Sequence, residues 1–468
     1  MDRRRFLKSS LTLGGVGALA GLTACSRVPT DSTQIAPFSA GKPLPWINWA
    51  GNHSCVPKWR YAPNSEAQLI DAMKQAKGNV RAVGSSHSFS PVVPTNDSMI
   101  SLDFMHGLVS ANKELQQATF MAGTTLNSIG PALESVGQAL PNMPDMDYPT
   151  LGGSIVNSVH ATGTNFGSMS SYVTGFRLIT PKGEAIDCSE DKNSDIFYAG
   201  RTSVGSLGIM SQITLQNQQP FKLTEVNKVE KLEDVLDDIE NRKNNNRHFE
   251  IFPIPYSSMC ITVTTNIAEP GDKNVGHDDP QAVNLLQKVF DAIAWAPGGE
   301  ALYDKAIELA MASEAEVVRT GSSYQVFPHV RVVRFREMEY TVPAEVGPAC
   351  LREIMDTIKK LDVPCVFPLE YRYTKADDIW LSMFEGQDGC SISFHQYLDK
   401  DYKIPFSVIE PIFWKYGGRP HWGKIHTLDA KRLASLYPKH WQDFQQVRET
   451  LDPTGKMMNE HLKQIFVG

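Results

Sequence analysis

The sequence is poor in cysteine, in excess positive charge and in long apolar runs, and each shortage excludes something. Seven cysteines in 468 residues, with no C-x-x-C and no metal-ligand spacing, exclude a dense disulfide scaffold and supply no metal site. Asp and Glu outnumber Lys and Arg by 52 to 45, a net charge of −7. Setting aside residues 1–24, which hold four basic side chains (Arg3, Arg4, Arg5, Lys8) against Asp2, leaves a still more acidic body. Phosphate contacts need clustered Lys and Arg, so this balance argues against a nucleic-acid partner. Beyond the N-terminus no apolar run reaches the ~18 residues of a membrane span, which excludes a membrane-spanning bundle. Apolar content, by contrast, is ample: 41% hydrophobic residues suffice for two domains with real cores.

Residues 1–25 read as an address and are set apart from the fold. Arg3-Arg4-Arg5-Phe6-Leu7-Lys8 has the twin-arginine form, whose export machinery carries folded proteins; an Arg-rich secretory signal is the alternative. Leu22-Thr23-Ala24-Cys25 resembles a lipobox in which Cys25 is acylated, with a plain cleavage site as the alternative. With a linker over 26–45 rich in Pro, Ser and Thr, a lipidated Cys25 would tether a periplasmic body to a membrane. In that oxidising compartment one or two of the remaining cysteine pairs could close. Gly15-Val16-Gly17-Ala18-Leu19-Ala20 fits a dinucleotide fingerprint, but no strand precedes it and it lies in the signal, so a Rossmann nicotinamide site is not supported.

The body divides near residue 220. Over 46–220 short strands alternate with short helices. The pattern predicts a helix over 65–77 capped by Asn64 or Ser65, strands over 79–83, 99–104, 118–123 and 209–215, a helix over 125–138 and a hairpin over 173–188. Over 221–468 longer strand patterns appear at 249–254, 259–265, 330–338 and 363–369. Helices are expected at 281–295, 300–318 and 344–361, with an exposed acidic loop over 266–280. The plan is α+β: two domains, the second an antiparallel sheet covered by helices.

Three small-residue loops fall within the first domain. Val83-Gly84-Ser85-Ser86-His87-Ser88 follows a strand, so backbone N–H groups can converge where no side chain blocks a diphosphate. Residues 149–163, including Gly152, Gly153, Ser154, Ser158, His160 and Gly163, hold almost no bulk or charge. Residues 201–209 form a third such loop entering a strand at Ile209. Each alone reads as a polar turn; together they favour a large phosphate-bearing cofactor. In this order they resemble the FAD-binding domain of the vanillyl-alcohol-oxidase (PCMH-type) flavoproteins. The resemblance is to the branch that holds D-arabinono-1,4-lactone, L-gulono-1,4-lactone and alditol oxidases. It implies FAD bonded covalently to His87 and touched by Val83, Gly84, Ser85, Ser86, Ser88, Gly152, Gly153, Ser154, Ser158, His160, Gly163 and Ile209. The second loop lacks a Cys, so no second covalent link is implied.

The second half adds its own match. Glu370 and Arg372 alternate onto one face of a strand, which on sequence alone is a common surface ion pair. His395 ends another strand, and His421-Trp422-Gly423-Lys424 is a tetrapeptide of the sugar-lactone and alditol oxidases. Residues 334–340 and the ending 451–459 also match that branch. The resemblance implies that the C-terminal end packs back on the FAD domain and that Glu370, Arg372, His395 and Lys424 form the substrate pocket. It further implies hydride transfer from a CH–OH carbon of a sugar 1,4-lactone or alditol to flavin, then to molecular oxygen. A small residue near Gly152-Gly153 is associated with that oxygen reactivity. Either His395 or Lys424 can serve as base, since Arg does not deprotonate. The rivals are a same-fold dehydrogenase passing electrons to a cytochrome or quinone, and a non-catalytic sugar-binding lipoprotein.

Overall fold

The computed structural model describes residues 44–276, 282–311 and 316–468. The export signal, Cys25 and all but the end of the linker lie outside the described residues. The first half builds a small two-stranded sheet, Trp46–Ile47 with Ser54–Cys55, and two larger ones. A parallel one places Ser98–Ser101 between Trp59–Tyr61 and Val80–Val83. An antiparallel one runs Leu108–Asn112, Gln117–Met121, Ile209–Gln216, Val173–Ile179, Ala185–Cys188. Helix Glu66–Gln75 starts where the Ser65 hydroxyl accepts from the Gln68 N–H, and it buries Leu69, Ala72 and Met73 at helical spacing.

The second half is an eight-stranded antiparallel sheet. Its order is Val317–Ser322, Lys222–Lys231, Met259–Ile267, His248–Pro253, Glu370–Thr374, Gly389–Tyr397, Phe335–Pro343, Arg419–Pro420. The registers Glu250↔Arg372, Glu370↔Ser393, Glu337↔His395 and Glu339↔Ser393 put these residues on one face. The alternate residues Tyr371, Tyr373, Ile392, Phe394, Met338 and Tyr340 occupy the other, under helices Gly347–Lys360 and Lys403–Lys415. Phe394 packs on Phe406, and Tyr340 stacks on Phe413. Each such ring contributes about 2 kcal/mol by leaving water. The helices therefore fix the sheet's apolar side and leave its ionisable side facing the first half.

The C-terminal segment returns to the first domain. Val80 N–H donates to Lys456 O (2.7 Å), Asn79 Nδ2 to Met458 O (2.7 Å) and Asn459 Nδ2 to Pro94 O (2.9 Å). Arg81 is buried beneath these loops and spends its donors on carbonyls of Val92, Val204, Gly205 and Met457. No carboxylate among the described residues pairs with it, and burial lowers its pKa to about 9.

Three strand or helix expectations are corrected. Residues 363–369 are not a strand; Pro364 and Pro368 cannot donate to a central ladder, so pairing begins at Glu370. The strand expected from 330 begins at Phe335, because Arg331 and Arg334 turn to Asp145 and to the Trp49 carbonyl. The helix expected over 300–318 ends at Met311, and Val317–Ser322 pairs as an edge strand. The largely exposed strand Leu108–Asn112 was not legible. Disulfide pairing also fails: Cys55, Cys188, Cys260, Cys350, Cys365 and Cys390 are all buried free thiols. Among the described residues no helix is long and apolar enough to cross a membrane.

Candidate active site

The Val80–Val83 strand empties into the first loop, whose backbone is held from outside. Trp46 Nε1 donates to Ser86 Oγ (2.9 Å), Trp49 N–H to Ser86 O (2.8 Å) and Asn48 Nδ2 to Ser88 O (3.0 Å). The loop is also tied to the second half: Phe89 N–H donates to Gly423 O (2.7 Å), and Ser90 Oγ to Trp422 O (2.7 Å). His87 lies between Trp49 and Tyr148, with ring centroids at 5.4 and 5.9 Å. Its Nδ1 is buried without a hydrogen-bond partner. Burial, reinforced by the Lys424 charge, lowers its pKa to about 4, so the ring is neutral at pH 7.

One cavity of about 380 Å³ runs from this loop to the polar face of the large sheet. Val83, Gly84, Ser85, Ser86, His87, Ser88, Gly152, Gly153, Ser154, Gly205, Gly208 and Ile209 line one side. Gly208 has φ +145°, and a Cβ there would strike the Ile179 carbonyl, so the close backbone approach needs glycine. Two expected cofactor residues do not reach the cavity. Ser158 is fully buried with its hydroxyl 3.4 Å from Ser382, and the Gly163 N–H is spent on Tyr373 O. His160 lines the cavity, but its nitrogens face Glu339 Oε1 (2.6 Å) and Ala161 O (2.9 Å). Both ring nitrogens are thereby engaged within the protein rather than left free for a cofactor.

Glu370, Arg372, His395 and Lys424 all line the opposite wall. Three come from neighbouring strands, and the tie between Gly423 and the first loop brings in Lys424. Arg372 pairs with Glu370 (3.3 Å) and Glu339 (2.8 Å), while Ser393 Oγ donates to Glu339 (2.6 Å). Lys424 pairs with Glu337, whose other oxygen lies 3.5 Å from His395 Nε2. His395 Nδ1 donates to Pro368 O at 2.9 Å.

Burial would raise both strand carboxylates, but their partners win. The Lys424 charge, most strongly, brings Glu337 to about 2; Arg372, most strongly, and the His160 hydrogen bond hold Glu339 well below its usual value. Burial would weaken the Arg372 charge, yet Glu370 and Glu339 hold it more firmly protonated. Glu250, across the sheet from Arg372, has only burial and the Glu370 charge to respond to most strongly, and rises to about 8. Towards the outer wall His329 contacts Asp145 (2.6 Å) and Glu225 (3.0 Å), and Arg331 pairs with Asp145.

The sequence reading missed Glu337, Glu339 and Arg81. The alternation of Glu337 and Glu339 with Met338 and Tyr340 was the available signal, since it places two carboxylates on one strand face. Nothing local marks Arg81, whose partners lie up to 376 residues away.

Residues 213–465 match the D-arabinono-1,4-lactone oxidase family, and residues 57–189 match the FAD binding domain family. The chain belongs to the D-arabinono-1,4-lactone oxidase family. A relative named L-gulono-1,4-lactone dehydrogenase, from Mycobacterium tuberculosis, is 33% identical over 90% of this chain and 99% of its own length. L-gulonolactone oxidase of Mus musculus is 28% identical over 91% and 99%, and the alditol oxidase of a Streptomyces species 24% over 90% and 99%. In fold the chain is similar to cholesterol oxidase from Brevibacterium sterolicum, at TM-score 0.70 and 13% identity, covering 92% of this chain and 99% of that one. This D-arabinono-1,4-lactone oxidase family member is thus an FAD-dependent oxidoreductase. The residues present fit that cofactor: a neutral imidazole with an unpartnered nitrogen faces a cradle of glycine and serine.

Proposed function

We propose that the protein oxidises a CH–OH carbon of a sugar 1,4-lactone or an alditol, with molecular oxygen as acceptor and hydrogen peroxide as product. One observation carries this reading: Glu370, Arg372, His395 and Lys424 converge on the cavity that His87 enters from the other side. FAD, held by the three loops and bonded through His87, supplies the hydride acceptor. Arg372 brings fixed positive charge in a dry site, which stabilises negative charge as it develops. Glu370 accepts from substrate hydroxyls and sets their register. Lys424, paired to Glu337, stays an ammonium, while the Nδ1–H bond of His395 to Pro368 O leaves Nε2 as the lone-pair nitrogen. His395 Nε2 therefore takes the hydroxyl proton.

The twin-arginine reading completes the proposal: the chain is loaded with FAD before export, then held at a periplasmic membrane face by lipid on Cys25. A second reading, a dehydrogenase serving a cytochrome or quinone, draws support from the printed name of the Mycobacterium relative. The deciding assay is a lactone and alditol panel followed both as peroxide release and as dye reduction. Peroxide in step with turnover supports the oxidase; rapid dye reduction with negligible oxygen uptake assigns the dehydrogenase. Inertness towards every lactone and alditol overturns the substrate class.

A further inference from the structure

We propose that Glu337 is the positioning residue that fixes the protonation of both Lys424 and His395, so that the ring and not the amine accepts the substrate proton. This rests on the functional reading above. Glu337 is buried at 3% exposure on the Phe335–Pro343 strand, and its two oxygens serve two different partners. One takes the Lys424 ammonium; the other faces His395 Nε2 at 3.5 Å, too long for a strong hydrogen bond. With Nδ1–H committed to Pro368 O, a neutral ring carries its lone pair on Nε2, beside that carboxylate. The contact is repulsive until Nε2 gains a proton and attractive afterwards. Glu337 thus increases the proton affinity of Nε2 in the catalytic step while holding Lys424 in the form that cannot accept.

Glu370 also brings a carboxylate oxygen within 4.8 Å of His395 and of Glu337, but Arg372 pairs with it at 3.3 Å. On its own strand Glu339 is occupied by His160, Arg372 and Ser393. From the adjoining strands Arg372 is divided between Glu339 and Glu370. His421 and Lys424 face the site from the 421–424 loop, and His87 from the first domain. Burial lowers His421 to about 3 and its Nδ1 accepts the Gly423 N–H, so it stays neutral. Lys424 is the one Lys or Arg that pairs with Glu337 among the described residues. In turnover bound FAD would supply the acceptor for the carbon's hydrogen, as hydride, while His395 Nε2 takes the hydroxyl proton. The C–O bond becomes C=O, and the imidazolium then releases the proton to solvent.

The test uses FAD-loaded wild type, Glu337→Gln and Glu337→Asp, with absorbance spectra and melting curves confirming that each is folded and flavinylated. In Glu337→Gln the acid limb of kcat/KM moves to lower pH by about one unit, because the protonated ring has lost its neighbouring negative charge. The His395 ring signal in NMR, assigned by its loss in His395→Ala, moves in the same direction, and Glu337→Asp restores much of both shifts. A fall in rate with limb and ring titration unmoved makes Glu337 merely structural and overturns the proposal. The ring titration needs no substrate. An enzyme inert on every lactone and alditol would therefore refute the functional reading while this readout still decides the role of Glu337.

Discussion

Replacing Glu339 by Gln tests whether the charged sheet face is held together as described. Glu339 is completely buried and joins His160, Arg372 and Ser393, the guanidinium of Arg372 bringing a fixed positive charge. An amide keeps the volume but offers one acceptor oxygen instead of two, so either the His160 or the Arg372 contact is lost. Removing one partner from a buried ion pair costs about 3–5 kcal/mol. Glu370 still faces Arg372 at 3.3 Å, which places this case at the low end, about 3 kcal/mol. For a large domain that lowers the melting midpoint by roughly 6 °C. The assay is thermal unfolding of FAD-saturated protein at pH 7, followed by circular dichroism. The control is Glu460→Gln, which breaks an exposed pair with Lys463 and should shift the midpoint by no more than about 1 °C. The sign with pH also follows. The Glu339 pKa is depressed on folding, so its stabilisation is present above the ordinary value of 4.5 and is lost as pH falls below it. Glu339→Gln should flatten that acid loss. A variant melting within a degree of wild type, with the acid slope intact, would refute the account of the network.

Three further outcomes are expected. The His329 pKa is raised to about 10 because Asp145 and Glu225 outweigh the cost of burial. Its stabilisation is complete below its ordinary 6.5 and disappears as pH rises through about 10, so His329→Gln should flatten urea midpoints plotted over that window. Acid precipitation of wild type should give a yellow pellet and that of His87→Ala a colourless one; yellow in both would move the covalent link elsewhere. Gly208→Ala places a methyl against the Ile179 carbonyl at φ +145°, and should cost about 1–3 kcal/mol and lower flavin content per protein, read from the visible-to-ultraviolet absorbance ratio.

The parts legible in the sequence were those whose chemistry sits in a continuous stretch. Glycine and serine between a strand and a turn announce an exposed backbone, and Glu370-x-Arg372 announces a shared face, so both halves of the site could be read before the fold was known. Apolar composition misled at 363–369, where two prolines outweigh five apolar or sulfur side chains in deciding whether a ladder forms. Ser158 and Gly163 were carried over from the family resemblance, but a turn at Ser158 (φ +56°) carries the chain away. The roles of Glu337, Glu339 and Arg81 depend on partners brought from 11 to 376 residues away, and single-sequence periodicity carries no information about such pairings.

The backbone tie between Phe89 and Gly423 has an evolutionary corollary. It fixes the spacing between the imidazole-bearing turn and the amine-bearing turn without using the cluster of Asp145, His329 and Arg331 that lines another part of the cavity. Mutations that resculpt the cavity wall away from that tie, for a longer or bulkier polyol, would leave the spacing of the two turns in place. Descendants of one ancestor could in that way diversify their diets while inheriting a single reaction.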